Sequence, residues 1–231
     1  DPRPVWRDPA GFGRVTALPE VCQMMWNCKL NWDIVRHDLV LGSCPLDVGD
    51  LDSLRLEARV SAILSVQHDE CLEKHRIDYP RHVRHGRALG LAMERCPLRD
   101  FDPDDQRRGL PAAVRMLHDL LRQGHRVYVH CTAGINRSSL VVLTYLTLIE
   151  GASVEEAMTL LTHARPEVAP TWEAYYGCRQ DLTVRHEDRI RQRAAEISLR
   201  QPRHGALDHW PQAEREIWRE VLTTDQPSRG A

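Results

Sequence analysis

Long apolar runs are missing from this chain. Nowhere in its 231 residues do ~18 apolar residues follow one another, which excludes a membrane-spanning helix. Charge of one sign is missing as well: Lys and Arg number 31 against 33 Asp and Glu, and the formal net charge of -2 gives no bulk attraction to nucleic acid or to an anionic membrane. The seven cysteines (Cys22, Cys28, Cys44, Cys71, Cys96, Cys131, Cys178) form no Cys-x-x-Cys pair and are odd in number. That speaks against a zinc site or a secreted disulfide framework and fits a reducing compartment. The histidines are scattered, many beside arginine as in Arg81-His82 and Arg84-His85, so no metal and no cofactor is expected. No internal repeat is visible. The chain starts at Asp1 without Met or a secretory signal; it is expected to be a processed or truncated form, in which a removed targeting peptide would leave no trace.

What is present starts with His130-Cys131-Thr132-Ala133-Gly134-Ile135-Asn136-Arg137-Ser138, a thiol and a guanidinium at the two ends of a five-residue spacer. A free thiol with a pKa near ~8.5 is mostly protonated at neutral pH, and only the thiolate is a good nucleophile, so a catalytic cysteine needs an electropositive pocket. The flanks supply one. Arg126-Val127-Tyr128-Val129 reads as a short buried strand, and Ser138 to Ile149 is apolar nearly all round and reads as a buried helix. The spacer is then a strand-to-helix turn whose backbone N–H groups, with the positive end of the helix, converge on one point and favour a thiolate or a phosphate dianion.

Within that turn Thr132, Ala133, Gly134, Ile135 and Asn136 are the candidate phosphate-binding residues, joined by Ser138. Gly134 suits a close backbone approach. Arg137 can offer a planar fork to two phosphoryl oxygens, and Ser138 can donate its hydroxyl to the thiolate. The competing reading of Cys131 is a buried core thiol.

Such a nucleophile needs a general acid for the leaving oxygen. Upstream lies Arg99-Asp100-Phe101-Asp102-Pro103-Asp104-Asp105. Asp100 is the expected acid, with Asp102 in reserve, and Asp104 or Asp105 is expected to cap the following helix.

A hydrophobic content of 42% with 28% charged residues is ordinary for a globular protein, and the length suits one catalytic domain with appendages. Residues 1–20, with four Pro and two Gly, read as an extended arm. Strands are expected at Leu39–Gly42, Val60–Val66 and Met93–Leu98, and helices at Asp47–Arg59, at Gln106–Leu121 stopped by Gly124, and after the Ser153/Glu156 capping box. Alternating strands and helices imply an α/β fold with a mostly parallel sheet covered on both faces. Beyond Asp181 the chain is Arg- and Glu-rich; then Pro211 to Leu222 carries an apolar stripe expected to dock on the body. The expected division is arm 1–20, catalytic domain 21–183 and C-terminal helical extension 184–231.

The cradle resembles that of the protein tyrosine and dual-specificity phosphatases, which share a Cys-x5-Arg-Ser/Thr loop, an upstream acid Asp and an α/β sheet fold. Further stretches resemble plant glucan phosphatases of the starch-excess and like-starch-excess type. These are Leu30-Asn31-Trp32, Leu41-Gly42-Ser43, Ile63 through Asp69, Arg99 through Asp102, Leu110 through Val114, and Val127 through Gly134. The tail from Pro170 through Leu182 and the closing Trp-containing helix are also similar, so the resemblance covers residues 21 to 222.

It implies a protein tyrosine phosphatase-like fold and hydrolysis of phosphate monoesters on starch glucose units through a phosphocysteine on Cys131, in the plastid stroma. It also implies sugar stacking by Phe101, with Trp32 and Trp26 extending the platform. The opposing reading of these rings is core packing, since aromatics make up only 6% of the chain.

The chain departs from the pattern in several positions. Asn136 stands where these enzymes have Gly and is expected to narrow the pocket mouth or add a donor, and Ser138 stands where they have Ala. Ser65 holds the position of their regulatory, disulfide-forming cysteine, with Cys71 nearby. Met93, Arg95 and Cys96 partly match a secondary glucan site. A dual-specificity phosphoprotein phosphatase remains an alternative. So does a scaffold subunit contacting a protein partner through the N-terminal arm or the C-terminal tail.

Overall fold

The computed structural model describes residues 29–200 and 209–224; the expected N-terminal arm and Trp26 lie outside the described residues. Among these, strands β1 (Trp32–Arg36), β2 (Leu39–Gly42), β3 (Ala62–Gln67), β4 (Ala92–Leu98) and β5 (Val127–His130) form one sheet in the order β1-β2-β5-β3-β4. β1 runs antiparallel to β2, and the other pairs are parallel. Strand β1 was not anticipated.

Side chains on the central strands alternate between two apolar layers, as the pleat requires. Leu39, Leu41, Ala62, Leu64, Val66, Val127 and Val129 face the larger layer, whereas Val40, Ile63 and Tyr128 face the smaller. The larger layer is closed by α4 (Pro103–Arg122), α5 (Arg137–Thr144), α6 (Val154–Ala164) and α7 (Trp172–Arg185), and the smaller by α1 (Val48–Leu56) and α3 (Tyr79–Ala88). The fold is therefore the expected α/β sheet with helices on both faces. A short helix α2 (Asp69–Lys74) follows β3.

Helix α4 carries the predicted stripe, with Leu110, Ala113, Val114, Leu117 and Leu120 buried. Each leucine or valine so removed from water contributes ~1.5–3 kcal/mol. Its start corrects the sequence reading. Asp102, not Asp104 or Asp105, is the N-cap, accepting the Asp105 amide at 2.9 Å, because Pro103 occupies the first helical position, where its missing N–H costs nothing. The Asp105 carboxylate instead accepts the Arg99 amide at 2.7 Å.

The helix predicted over Ser138–Ile149 begins at Arg137 and widens into a π-helical segment over Tyr145–Ile149. There the Thr144 and Thr147 hydroxyls donate back to Leu140 O and Leu143 O at 2.8 and 2.9 Å, a competition with the backbone ladder that bends helices. The capping box at Ser153/Glu156 forms as predicted.

Helices α8 (Glu187–Arg200) and α9 (Trp210–Thr223) end the described chain. α9 has two apolar edges: Trp218 and Leu222 enter the main core, while Ala213 and Ile217 pack on Ile190, Ala194 and Ile197 of α8.

Candidate active site

Parallel pairing aligns Gly42, His130 and Ser65 at the C-terminal edge of the sheet, the edge at which open α/β sheets gather ligands. The chain leaves β5 at His130, turns through Cys131–Asn136, and enters α5 at Arg137. Gly134 makes the turn possible: its φ is +74°, and a Cβ there would collide with the carbonyl carbon and oxygen of Gly42. Gly42 in turn has no room for a side chain, because its Cβ would run into the Asn31 carbonyl oxygen and the Tyr128 hydroxyl.

The turn is gripped from outside. Cys44 N donates to Thr132 O (2.9 Å) and Ala169 N to Ile135 O (3.0 Å), while Arg165 Nη2 donates to Ala133 O at 2.9 Å. In a planar trans peptide the N–H points opposite the carbonyl. With these three carbonyls held outward, the amides of Ala133, Gly134 and Asn136 are turned to the concave side, the geometry of an anion nest.

Cys131 is only 2% exposed, and burial by itself pushes its thiol pKa up. The Arg137 charge and hydrogen bonds from the Ser138 hydroxyl (3.4 Å) and amide outweigh that, so the pKa lies below its ordinary value. The sulfur sits recessed at the floor of the turn. His130, directly before it, is buried and donates Nδ1–H to Cys131 O at 3.0 Å; burial holds its pKa at about 4, so the ring is neutral at pH 7.

Arg137 is 1% exposed. Nη1 donates to Leu98 O (3.1 Å) and Cys71 Sγ (3.4 Å), and Nη2 to Asp100 Oδ2 (2.8 Å) and Thr132 Oγ1 (3.1 Å). That uses four of its five N–H groups. The fifth, on Nε, is buried with no partner. Leaving a buried donor unmade costs ~1–3 kcal/mol, and an acceptor brought by a ligand would recover it.

Asp100, 30% exposed at its side chain, is joined to the cradle by this ion pair. The Asp102 carboxylate is occupied as the helix cap. Phe101 lies between them, 61% exposed and with φ +55°.

Ser138 is buried, with its hydroxyl donating to the Cys131 sulfur. Asn136 differs from expectation. Its side chain turns to the segment before α7, donating to Ala169 O (3.1 Å) and accepting from Thr171 Oγ1 (2.8 Å), so the amide group is committed to bracing the wall. Trp32 is half-buried against the smaller core layer, with Val40, Ile63 and Tyr128. Met93 is buried in that same layer, Arg95 is paired with Asp69, and Cys96 lies half-buried near Gly109 O. Met93 therefore lines no surface site.

Sequence reasoning missed Gln67, Arg165 and Leu98. Arg165 is 7% exposed and spans Asp33 (2.7 Å), Asn31 (2.6 Å) and Ala133 O. In the sequence it reads only as a basic residue ending a helix. Also unforeseen is an aromatic stack opening α7, in which Trp172 lies over Tyr176 (centroids 6.0 Å, 27°), with Tyr175 edge-on to both and tied to Thr147 at 3.1 Å.

The sequence matches the dual specificity phosphatase catalytic domain over residues 60–176, 117 of the chain's 231 residues. It is 35% identical over 138 residues to the phosphoglucan phosphatase DSP4, amyloplastic, of Castanea sativa, across 59% of this chain and 36% of that protein. To the phosphoglucan phosphatase LSF1, chloroplastic, of Arabidopsis thaliana it is 32% identical over 151 residues, covering 62% and 25%. To laforin of Mus musculus it is 27% identical over 164 residues, covering 67% and 50%. The chain thus spans between a quarter and a half of the length of these relatives. Among solved structures, PTPMT1 superposes with a TM-score of 0.51 at 21% identity, over 68% of this chain and 99% of that one. This likeness concerns the fold.

Proposed function

The chain belongs to the dual-specificity phosphatase family, and from that premise we propose that it hydrolyses phosphate monoesters through a phosphocysteine on Cys131, with phosphorylated glucan as the natural substrate. The Cys131 thiolate attacks phosphorus, the ester P–O bond breaks, and the Asp100 carboxyl gives its proton to the departing alkoxide. Water then attacks the phosphocysteine and yields its proton to Asp100. The sulfur leaves as a thiolate, helped by the Ser138 hydroxyl, and inorganic phosphate is released. The incoming phosphoryl group competes with Asp100 for Arg137, so substrate binding itself frees the acid to swing toward the leaving oxygen. The observation that carries this reading is the buried guanidinium of Arg137, with one N–H unpartnered, beside a thiol whose pKa is lowered.

The choice of glucan rests on the relatives bearing the name phosphoglucan phosphatase. The exposed ring of Phe101 and the Trp172/Tyr176 stack supply flat apolar faces of the kind pyranose rings cover. The amyloplastic and chloroplastic relatives suggest a plastid as the place of work. We also read 21–183 as the catalytic unit and 184–231 as an extension docked on it. Phosphate release from solubilised amylopectin, compared with release from phosphotyrosine and phosphothreonine peptides, tests the proposal. Activity should be far higher on glucan and fall to background in Cys131→Ser. Equal rates on peptides, or none on glucan, would overturn the substrate assignment.

A further inference from the structure

Thr132 follows the nucleophile, and its hydroxyl has one hydrogen to donate and two positions at which to accept. Both acceptor positions are filled. Gln67 Nε2 donates to Oγ1 at 3.2 Å and Arg137 Nη2 at 3.1 Å. A guanidinium and an amide NH2 only donate, so neither can take the Thr132 hydrogen. No acceptor for that hydrogen is found among the described residues. Thr132 is half-buried at the first step of the cradle, whereas Gln67 is 1% exposed. Gln67 is fixed at the end of β3: its amide is bonded to Ser65 Oγ (3.4 Å) and its carbonyl holds Arg95 Nη2 at 3.0 Å.

We propose that the Thr132 hydroxyl donates to a non-bridging phosphoryl oxygen, and that Gln67 is the positioning residue that forces it to act as donor. The inference rests on the phosphatase reading of the cradle and adds a side-chain hydroxyl to the loop amides and Arg137. In phosphoryl transfer, charge is spread over three equatorial oxygens, and a pre-aimed neutral donor stabilises one of them without drawing on the thiolate. Gln67 reaches the substrate only through Thr132, which explains why a residue in a different strand belongs to the site.

The test uses Thr132→Val, Thr132→Ser and Gln67→Met in the full chain, with p-nitrophenyl phosphate as substrate and orthovanadate as probe. Loss of one preorganised oxyanion donor lowers turnover by roughly 10²-fold. That loss, with weakened orthovanadate inhibition, is expected for Thr132→Val; Thr132→Ser should restore both, and Gln67→Met should show a smaller loss of the same kind. The pH profile of inactivation by iodoacetamide, which reports ionisation of Cys131, should match that of the wild type in all three.

Wild-type orthovanadate affinity in Thr132→Val would overturn the proposal. So would a parallel shift of the iodoacetamide profile, since the hydroxyl would then be holding the cradle together rather than binding the oxyanion. A wild-type protein that neither hydrolyses p-nitrophenyl phosphate nor binds orthovanadate would instead remove the phosphatase reading itself.

Discussion

Residues 131–137 and residues 99–105 meet in one ion pair, Arg137 to Asp100 at 2.8 Å, yet they are built on opposite principles. The cradle is buried, with Cys131 and Arg137 nearly inaccessible and its carbonyls held by Cys44, Arg165 and Ala169 from separate parts of the chain. The acid loop is held by its own neighbours: Asp102 caps α4, Asp105 takes the Arg99 amide, and Gln106 Nε2 donates to Arg99 O at 2.9 Å. A site that grips an oxyanion gains from rigidity, because its dipoles are then oriented before the charge develops. On the proposed mechanism Asp100 first pairs with Arg137 and then delivers a proton, which requires it to move, and a short-range, exposed loop permits that.

The strongest way to break this division is Asp100→Asn. If Asp100 serves proton delivery alone, kcat/KM on alkyl phosphates falls by ~10²- to 10⁴-fold, and less on p-nitrophenyl phosphate, whose leaving group needs no proton. Inhibition by orthovanadate should hold or strengthen, since Arg137 no longer has a competing carboxylate. Weaker orthovanadate binding in this variant would assign Asp100 to the gripping half.

Acidity should separate the halves next, through stability. His130 is buried under the cradle with a pKa of about 4 against 6.5 when unfolded. Between those values the unfolded chain binds a proton that the folded chain does not, so stability is lost as pH falls from 6.5 to 4. The loss from this group reaches roughly 3 kcal/mol. Urea midpoints at pH 7 and pH 5 should therefore differ less in His130→Asn than in the wild type. An unchanged difference would show that the imidazole does not set the acid sensitivity of the cradle.

Arg165→Met asks how far the rigidity of the cradle depends on its outer braces. The substitution keeps the apolar stem but removes the contacts to Asp33, Asn31 and Ala133 O. Because Asp33 is 41% exposed at its side chain and water replaces part of what is lost, the cost is about 2 kcal/mol rather than that of a wholly buried pair. Thermal unfolding measures it, and turnover of p-nitrophenyl phosphate should drop in the same variant. A loss of stability with turnover intact would mean that the cradle holds its shape without this brace.

The same contrast explains what could be read from the sequence. The cradle is contiguous, so the order Cys131, Gly134, Arg137, Ser138 between a β-branched strand and an apolar helix revealed it, and the alternating core strands β2, β3 and β5 followed from their apolar runs. Its braces were hidden because Arg165 and Gln67 reach it from 32 or more positions away, and no local pattern marks such a contact. Helices α2 and α3 escaped notice because polar and charged residues dominate them, leaving only a few buried positions such as Leu72 and His82. The cap of α4 was legible but misjudged: Pro103 at the first helical position already marked Asp102 as the residue before it.

The smallest expected effect concerns Phe101, where the acid loop stores strain. Among the described residues the non-glycine positions with positive φ are Arg59, Arg76 and Phe101. Arg76 follows the C-cap of α2, and Arg59 lies just past the end of α1, where left-handed residues commonly end helices. Phe101 ends no helix; it sits between Asp100 and Asp102, the cap of α4, and its exposed ring recovers little by burial. A left-handed non-glycine residue costs roughly 1–2 kcal/mol, and such strain persists where function requires it. Phe101→Gly should therefore stabilise the fold by up to ~1 kcal/mol, seen as a higher thermal midpoint, and leave p-nitrophenyl phosphate turnover within a few fold. On solubilised amylopectin the same variant should raise KM, because the ring that the strain holds in solvent is gone. A higher midpoint with KM on amylopectin unchanged would show that the ring holds no glucan, and a lower midpoint would show that the ring anchors the loop instead of straining it.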